Sequence, residues 1–252
     1  MRKYLMLFFI LICLATLQPA VISAADNSLF LWCGAGLRQP VDEILADFQK
    51  QTGLQVSVEF GGSGKLLARY EATGQGDVFL PGSHFYVEKL AEKGNVTVSF
   101  PVVLHTPVVA VNKAKADQVK TFADLAIPGL RVGLGDPKAM ALGRTAEDIL
   151  KNSGLEQEIL KNVVVRAATV KQLALYVIKG DVDAAIIARA DVFQNKDLSM
   201  IEIDSSWYTP EIVKAAVLKT SPHPDEARKL AEFLSSPAAV ATFGKYGFLP
   251  VK

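Results

Sequence analysis

Two glycine-rich turns, each at the point where an apolar strand pattern gives way to an amphipathic helix, constrain this chain most. The first reads Leu29-Phe30-Leu31-Trp32-Cys33-Gly34-Ala35-Gly36 and leads into a helix whose start is marked by Pro40. The second reads Val56-Ser57-Val58-Glu59-Phe60-Gly61-Gly62-Ser63-Gly64 and leads into Lys65-Leu66-Leu67-Ala68-Arg69-Tyr70. Small residues at such a junction leave backbone N–H groups uncovered. Free N–H groups at the positive end of a helix dipole make an anion site. Two such turns in consecutive β–α units predict a grip on one small anion from two sides. Tight strand-to-helix connection alone is the competing reading of each turn. Ser63 adds a hydroxyl that a purely geometric turn does not need.

Short apolar runs alternate with amphipathic segments along the rest of the chain, which predicts an α/β fold. Val41, Ile44, Leu45 and Phe48 share one helical face, and Gly53 stops that helix. Leu54, Val56, Val58 and Phe60 alternate as a strand; Asp77 to Leu80 form a short one. The next helix turns Val87, Leu90 and Ala91 inward and ends at Gly94. The β-rich run from Pro101 to Val111, broken at Thr106-Pro107, predicts a crossover between two lobes. Strands follow at 131–134, 163–165, 184–187, 200–203 and 212–218, with helices before Gly154 and over 170–179. Ser205 to Pro210 predicts the return crossing, and a helix from Pro224 buries Ala227, Leu230, Ala231 and Leu234. Two crossings imply a discontinuous first lobe of residues 25–107 and 209–252, a second lobe of 108–208, and a hinge near His105–Val108 and Tyr208–Ile212.

Arg2 and Lys3, the apolar stretch Tyr4–Leu17 and the small residues Ser23-Ala24-Ala25 predict a signal peptide over residues 1–24, cleaved on export to the periplasm. A retained anchor is the alternative. The 27 basic and 26 acidic side chains leave a formal charge of +1, and loss of Arg2 and Lys3 takes it to −1. That balance gives no electrostatic case for nucleic acid or an anionic membrane. Any bound anion must then be held by local dipoles. Cys13 leaves with the signal, so Cys33 stands without an internal disulfide partner.

Catalytic signatures are missing. His84, His105 and His223 are the three histidines, and none has the spacing of a metal-binding helix. No G-x-S-x-G elbow occurs. Gly64-Lys65 is followed by Leu66 where a phosphate loop needs Ser or Thr, and Gly34-Ala35-Gly36 lacks the third glycine of a dinucleotide fingerprint. Cys33 before a helix is readable as a nucleophile with a depressed pKa or as a buried thiol. Lys65 and Arg144 are each readable as solvated charges or as charges beside a ligand.

Cys33-Gly34-Ala35-Gly36-Leu37, Phe60-Gly61-Gly62-Ser63-Gly64, Gly76-Asp77-Val78-Phe79, Gly135-Asp136-Pro137 and Phe243-Gly244-Lys245-Tyr246-Gly247-Phe248 together carry a resemblance. The chain resembles the substrate-binding proteins of bacterial ABC importers for molybdate and tungstate over essentially its whole length beyond residue 24. The resemblance implies a two-lobed periplasmic-binding-protein fold of type II, with a two-strand hinge and the ligand between the lobes. It implies no catalysis, no cofactor, no metal beyond that within the oxyanion, a monomer, and a permease in the inner membrane as partner. In the best-known branch uncharged donors hold the tetrahedral dianion from five places. These fall at Gly36, Ser63, the N–H of Leu142, the N–H of Val170 and Ala188. Gly36 and Ala188 lack the hydroxyls of that pattern; Arg144, Thr145 or Arg189 are candidates to replace the second. The implied ligand-binding set is Gly36, Gly62, Ser63, Leu142, Val170, Arg144 and Ala188. Other readings are a binding protein for sulfate, phosphate or an organic anion, a sensor or adhesive module, and an exported enzyme using Cys33.

Overall fold

A computed structural model describes residues 28–193 and 195–251; the proposed signal peptide lies outside them. The chain forms two sheets. The first has the order β11-β4-β10-β3-β1-β2, from β1 (Ser28–Gly34), β2 (Gln55–Gly61), β3 (Val78–Leu80), β4 (Val96–His105), β10 (Glu211–Leu218) and β11 (Leu249–Pro250). The second has the order β7-β6-β8-β5-β9, from β5 (Pro107–Asn112), β6 (Val132–Gly135), β7 (Val163–Ala167), β8 (Ala184–Ala188) and β9 (Leu198–Glu202). In the first sheet β1 pairs parallel with both β2 and β3; in the second β6 pairs parallel with both β7 and β8. Each of β1 and β6 therefore sits at a point where the chain leaves in two directions. Ligands bind outside the carboxyl ends of strands at such points.

The chain passes from one sheet to the other at Thr106, between β4 and β5, and returns between β9 and β10. Thr106 is buried, and its carbonyl accepts the N–H of Arg189 at 2.9 Å. The first sheet packs α1 (Arg38–Thr52) and the helix Pro224–Leu234 on one face, where Leu31, Val41, Phe48, Leu230 and Phe243 are almost fully buried. Trp32, Leu66, Tyr70, Phe79 and Leu90 fill its other face. The second sheet is covered on both faces, which explains its uninterrupted apolar strands such as Ala184–Ala188, every residue of which is buried.

The helix periodicities are realised with shifts at the ends. A 3-10 turn over Ala35–Leu37 runs directly into α1, so helical backbone begins ahead of Pro40, which sits in the first turn of α1 where its missing N–H costs nothing. Gly53, Gly154 and Gly180 close their helices in the left-handed conformation. Ala91 is exposed, and Tyr86 takes the inward place beside Val87 and Leu90. The β run begins at Val96, ahead of Pro101, because β4 is an inner strand paired with β10 and β11.

Candidate functional site

A cleft of about 330 Å³ opens between the two sheets. Its first wall is made by the segments leaving β1, β2 and β3: Ala35 and Gly36, Gly62 and Ser63, and Gly82. Its second wall is made by the segments following β6 and β7, including Met140, Leu142, Thr169 and Val170.

Four helical N-termini face this space. They belong to the 3-10 turn that opens α1, to α2 (Ser63–Thr73), to α4 (Ala141–Ser153) and to α6 (Val170–Lys179), with α3 (His84–Glu92) between α2 and α4 in the chain and α5 (Glu156–Leu160) between α4 and α6. In α2 the first backbone bond runs from Leu66 N–H to Gly62 O at 3.0 Å, which leaves Ser63, Gly64 and Lys65 N–H ahead of the ladder. In α4 it runs from Gly143 to Met140 at 3.1 Å, ahead of which lie Ala141 and Leu142. In α6 the Thr169 hydroxyl accepts from Gln172 N–H at 3.2 Å, leaving Val170 and Lys171. Gly34, Gly62 and Met140 provide no side-chain cap among the described residues. No acidic residue occupies the first turn of any of these helices, whereas Asp225 and Glu226 open the helix Pro224–Leu234. The termini at the cleft keep their positive ends for something else.

The glycines of the two turns divide by role. A Cβ on Gly34 would come to 3.0 Å from Gly82 N, and one on Gly61 to 3.0 Å from Leu66 Cδ2, so a side chain is opposed by backbone at the first and by the end of a leucine at the second. A Cβ on Gly36 or Gly62 would meet nothing within 4 Å, and neither has a positive φ. Space and backbone conformation thus leave the absence of a side chain at Gly36 and Gly62 unexplained. Both residues line the cleft.

Gly82 ties the first wall together. Its N–H donates to Ser63 Oγ at 3.1 Å, and its carbonyl oxygen accepts from His105 Nδ1 at 3.0 Å. With an acceptor role satisfied by Gly82, the Ser63 hydroxyl keeps its proton for donation. His105 is 6% exposed, and burial holds its pKa below the usual imidazole value, against the raising effects of the Gly82 carbonyl, Asp191 and Glu211. It is therefore neutral at pH 7 with the proton on Nδ1. Lys65 also lines the cleft, and Lys171 does so while paired with Asp191 Oδ1 at 2.5 Å. Gly82, His105, Met140 and Lys171 have no signature in the sequence; only Pro81-Gly82 after a short strand could have pointed to the third segment.

Gly36, Gly62, Ser63, Leu142 and Val170 come together in this cleft. Arg144 and Ala188 do not line it. Arg144 stands two residues from Leu142, hence on the opposite side of α4. Its Nη1 donates to Pro137 O at 3.3 Å, its guanidinium lies 4.4 Å from the Phe85 ring centre, and it lines a separate concavity with His84 and Glu211. Ala188 ends β8 fully buried in a cluster with Met140, Leu142 and Val170. The replacements fare no better: Thr145 Oγ1 donates to Ala141 O at 3.3 Å, and Arg189 pairs with Glu202. Cys33 is fully buried in β1 and burial raises its thiol well above the usual value, the opposite of an activated nucleophile. Among the described residues no cluster of His, Cys, Asp and Glu could hold a metal ion.

The profile of the bacterial extracellular solute-binding proteins matches residues 29–249. A binding protein of Haemophilus influenzae is 43% identical over 231 residues, covering 92% of this chain and 94% of its own. The molybdate-binding protein ModA of Rhodobacter capsulatus is 23% identical, covering 94% of each chain. Among solved structures, the periplasmic molybdate-binding protein of Azotobacter vinelandii superposes with a TM-score of 0.79 at 22% identity, over 89% of this chain and 100% of that one. The architecture is the two-lobed type II fold of periplasmic binding proteins. The chain belongs to the bacterial extracellular solute-binding protein family.

Proposed function

We propose that this protein captures a tetrahedral oxyanion in the cleft between its lobes and delivers it to an ABC permease in the inner membrane. Molybdate is the ion that named relatives bind, and tungstate, a tetrahedral dianion of the same charge, is taken with it in this reading. The convergence on one cleft of four helical starts without first-turn acids, three of them without a side-chain cap, carries the reading. Each hydrogen bond to a charged oxygen contributes about 1.5–3 kcal/mol net, so fixed N–H groups replace hydration without a counter-charge. Ser63 gives hydroxyl and N–H; Gly36, Gly62, Leu142 and Val170 give N–H.

In this reading the lobes, 25–107 with 209–252 and 108–208, bend at the crossings near Thr106 and Pro210, and the permease reads the closed surface. The protein acts as a periplasmic monomer after loss of residues 1–24. Calorimetric titration of the purified protein with molybdate, tungstate, sulfate and phosphate tests the assignment. Preference for the two larger ions supports it, and equal or stronger binding of sulfate or phosphate reassigns the ion.

A further inference from the structure

The lobes already touch on both sides of the cleft. Ala141 from the second lobe joins the buried apolar cluster of the first that includes Leu66 and Tyr86, and the Arg144 guanidinium lies 4.4 Å from the Phe85 ring centre. On the other flank the Gly247 backbone lies so close to Phe193 that a Cβ there would come within 2.6 Å of Phe193 Cβ. The space left between lobes in contact is still about 330 Å³. At about 30 Å³ of liquid volume per water, that space has room for about ten waters, whereas a bare tetrahedral ion has only five atoms. The cleft lies instead at the lower end of the range of about 300–1,000 Å³ that takes organic ligands.

The lining points the same way. Ala188 belongs to an apolar cluster with Met140, Leu142 and Val170, and the last three form cleft wall. Leu37 lines the opposite side. An ion made only of oxygens at its surface gains nothing from such a wall and loses hydration against it. A ligand with carbon–hydrogen surface gains by burying it.

We infer that the ligand of this cleft carries a short carbon body on its tetrahedral oxyanion head, as an organic phosphate or phosphonate does. The inference rests on the oxyanion reading of the helical N-termini. The head sits at Ser63, the glycine turns and the N–H groups of Leu142 and Val170, and the body lies on the side chains of Met140, Leu142 and Val170.

Titration with inorganic phosphate, molybdate and the methyl, ethyl and propyl phosphonates tests it. Affinity is expected to rise about three- to fourfold per added methylene, and Met140→Gln is expected to flatten that increment. A flat or falling series, with bare ions bound as well or better, overturns the inference and leaves the oxyanion site standing. Failure of every anion to bind overturns the oxyanion reading itself. An unaltered increment in Met140→Gln, together with one in Leu142→Ser, removes the apolar wall from the account.

Discussion

The hydroxyl of Ser63 and the backbone N–H of Gly82 are joined by a hydrogen bond of 3.1 Å, across nineteen positions of sequence and two strands of the first sheet. The bond turns the hydroxyl proton toward whatever the cleft holds. Ser63→Ala is expected to weaken oxyanion binding by about 1–3 kcal/mol, the cost of one unpaired charged acceptor. Titration of the variant checks this, and unchanged affinity removes Ser63 from the site.

Gly82 separates binding from folding. A Cβ there would lie 3.4 Å from His105 Nδ1 and 3.8 Å from Ser63 Oγ, ordinary contacts that the fold tolerates, yet it would stand in the cleft wall. Gly82→Ala is expected to keep stability within about 1 kcal/mol, well inside the range of ordinary substitutions. Its oxyanion affinity should fall at least tenfold. Denaturation and titration of the same sample read both quantities, and parallel losses contradict the separation.

Gly143 should behave oppositely. Its Cβ would come to 2.6 Å from the carbonyl group of Asp136, a backbone contact with no flexible end to yield. Gly143→Ala is expected to displace the start of α4 and to lower stability by about 2 kcal/mol or more. A thermal midpoint equal to that of the wild type contradicts this.

His105 sets a pH dependence. Its folded pKa lies below the unfolded value because burial penalises the charged ring. Below that unfolded value the unfolded chain binds the proton more readily, so the contribution is complete above about pH 6.5 and is lost as pH falls from there toward the folded pKa. Asp191, Glu211 and Lys171 are the charges that face the ring. Thermal midpoints between pH 7.5 and 5 should decline, and His105→Asn, which keeps a donor for Gly82 O, should flatten the decline. Parallel curves for the two proteins contradict the assignment.

Cys33 should resist alkylation in the native protein and react on unfolding, since its thiol is both buried and held protonated. Rapid native-state modification would reopen the nucleophile reading.

Much of this was legible in the residues. Glycine stops at Gly53, Gly154 and Gly180 and the helix face Ala227, Leu230, Ala231 and Leu234 follow from local chemistry, and local chemistry decides them. The turns at Gly36 and Ser63 were readable because their donors lie within a few residues of each other. Gly82 and His105 were not, because their roles arise from strand order: β3 lies beside β1, and β4 ends next to both only across β10. Arg144 lies outside the cleft lining for a reason of geometry, since a two-residue step on a helix turns a side chain away from its neighbour's surface. Ala188 carries no polar atom, and only the assembled cluster with Met140 and Leu142 shows what stands in place of a hydroxyl.

The most direct test of the oxyanion cleft is the thermal midpoint of the purified protein with molybdate, tungstate, sulfate and phosphate at equal concentration, repeated for Ser63→Ala. At equal concentration, a ligand bound only by the folded state raises the midpoint more the tighter it binds. The account predicts a rise with at least one of the four ions and a smaller rise with the same ion in Ser63→Ala. No rise with any of them would contradict it.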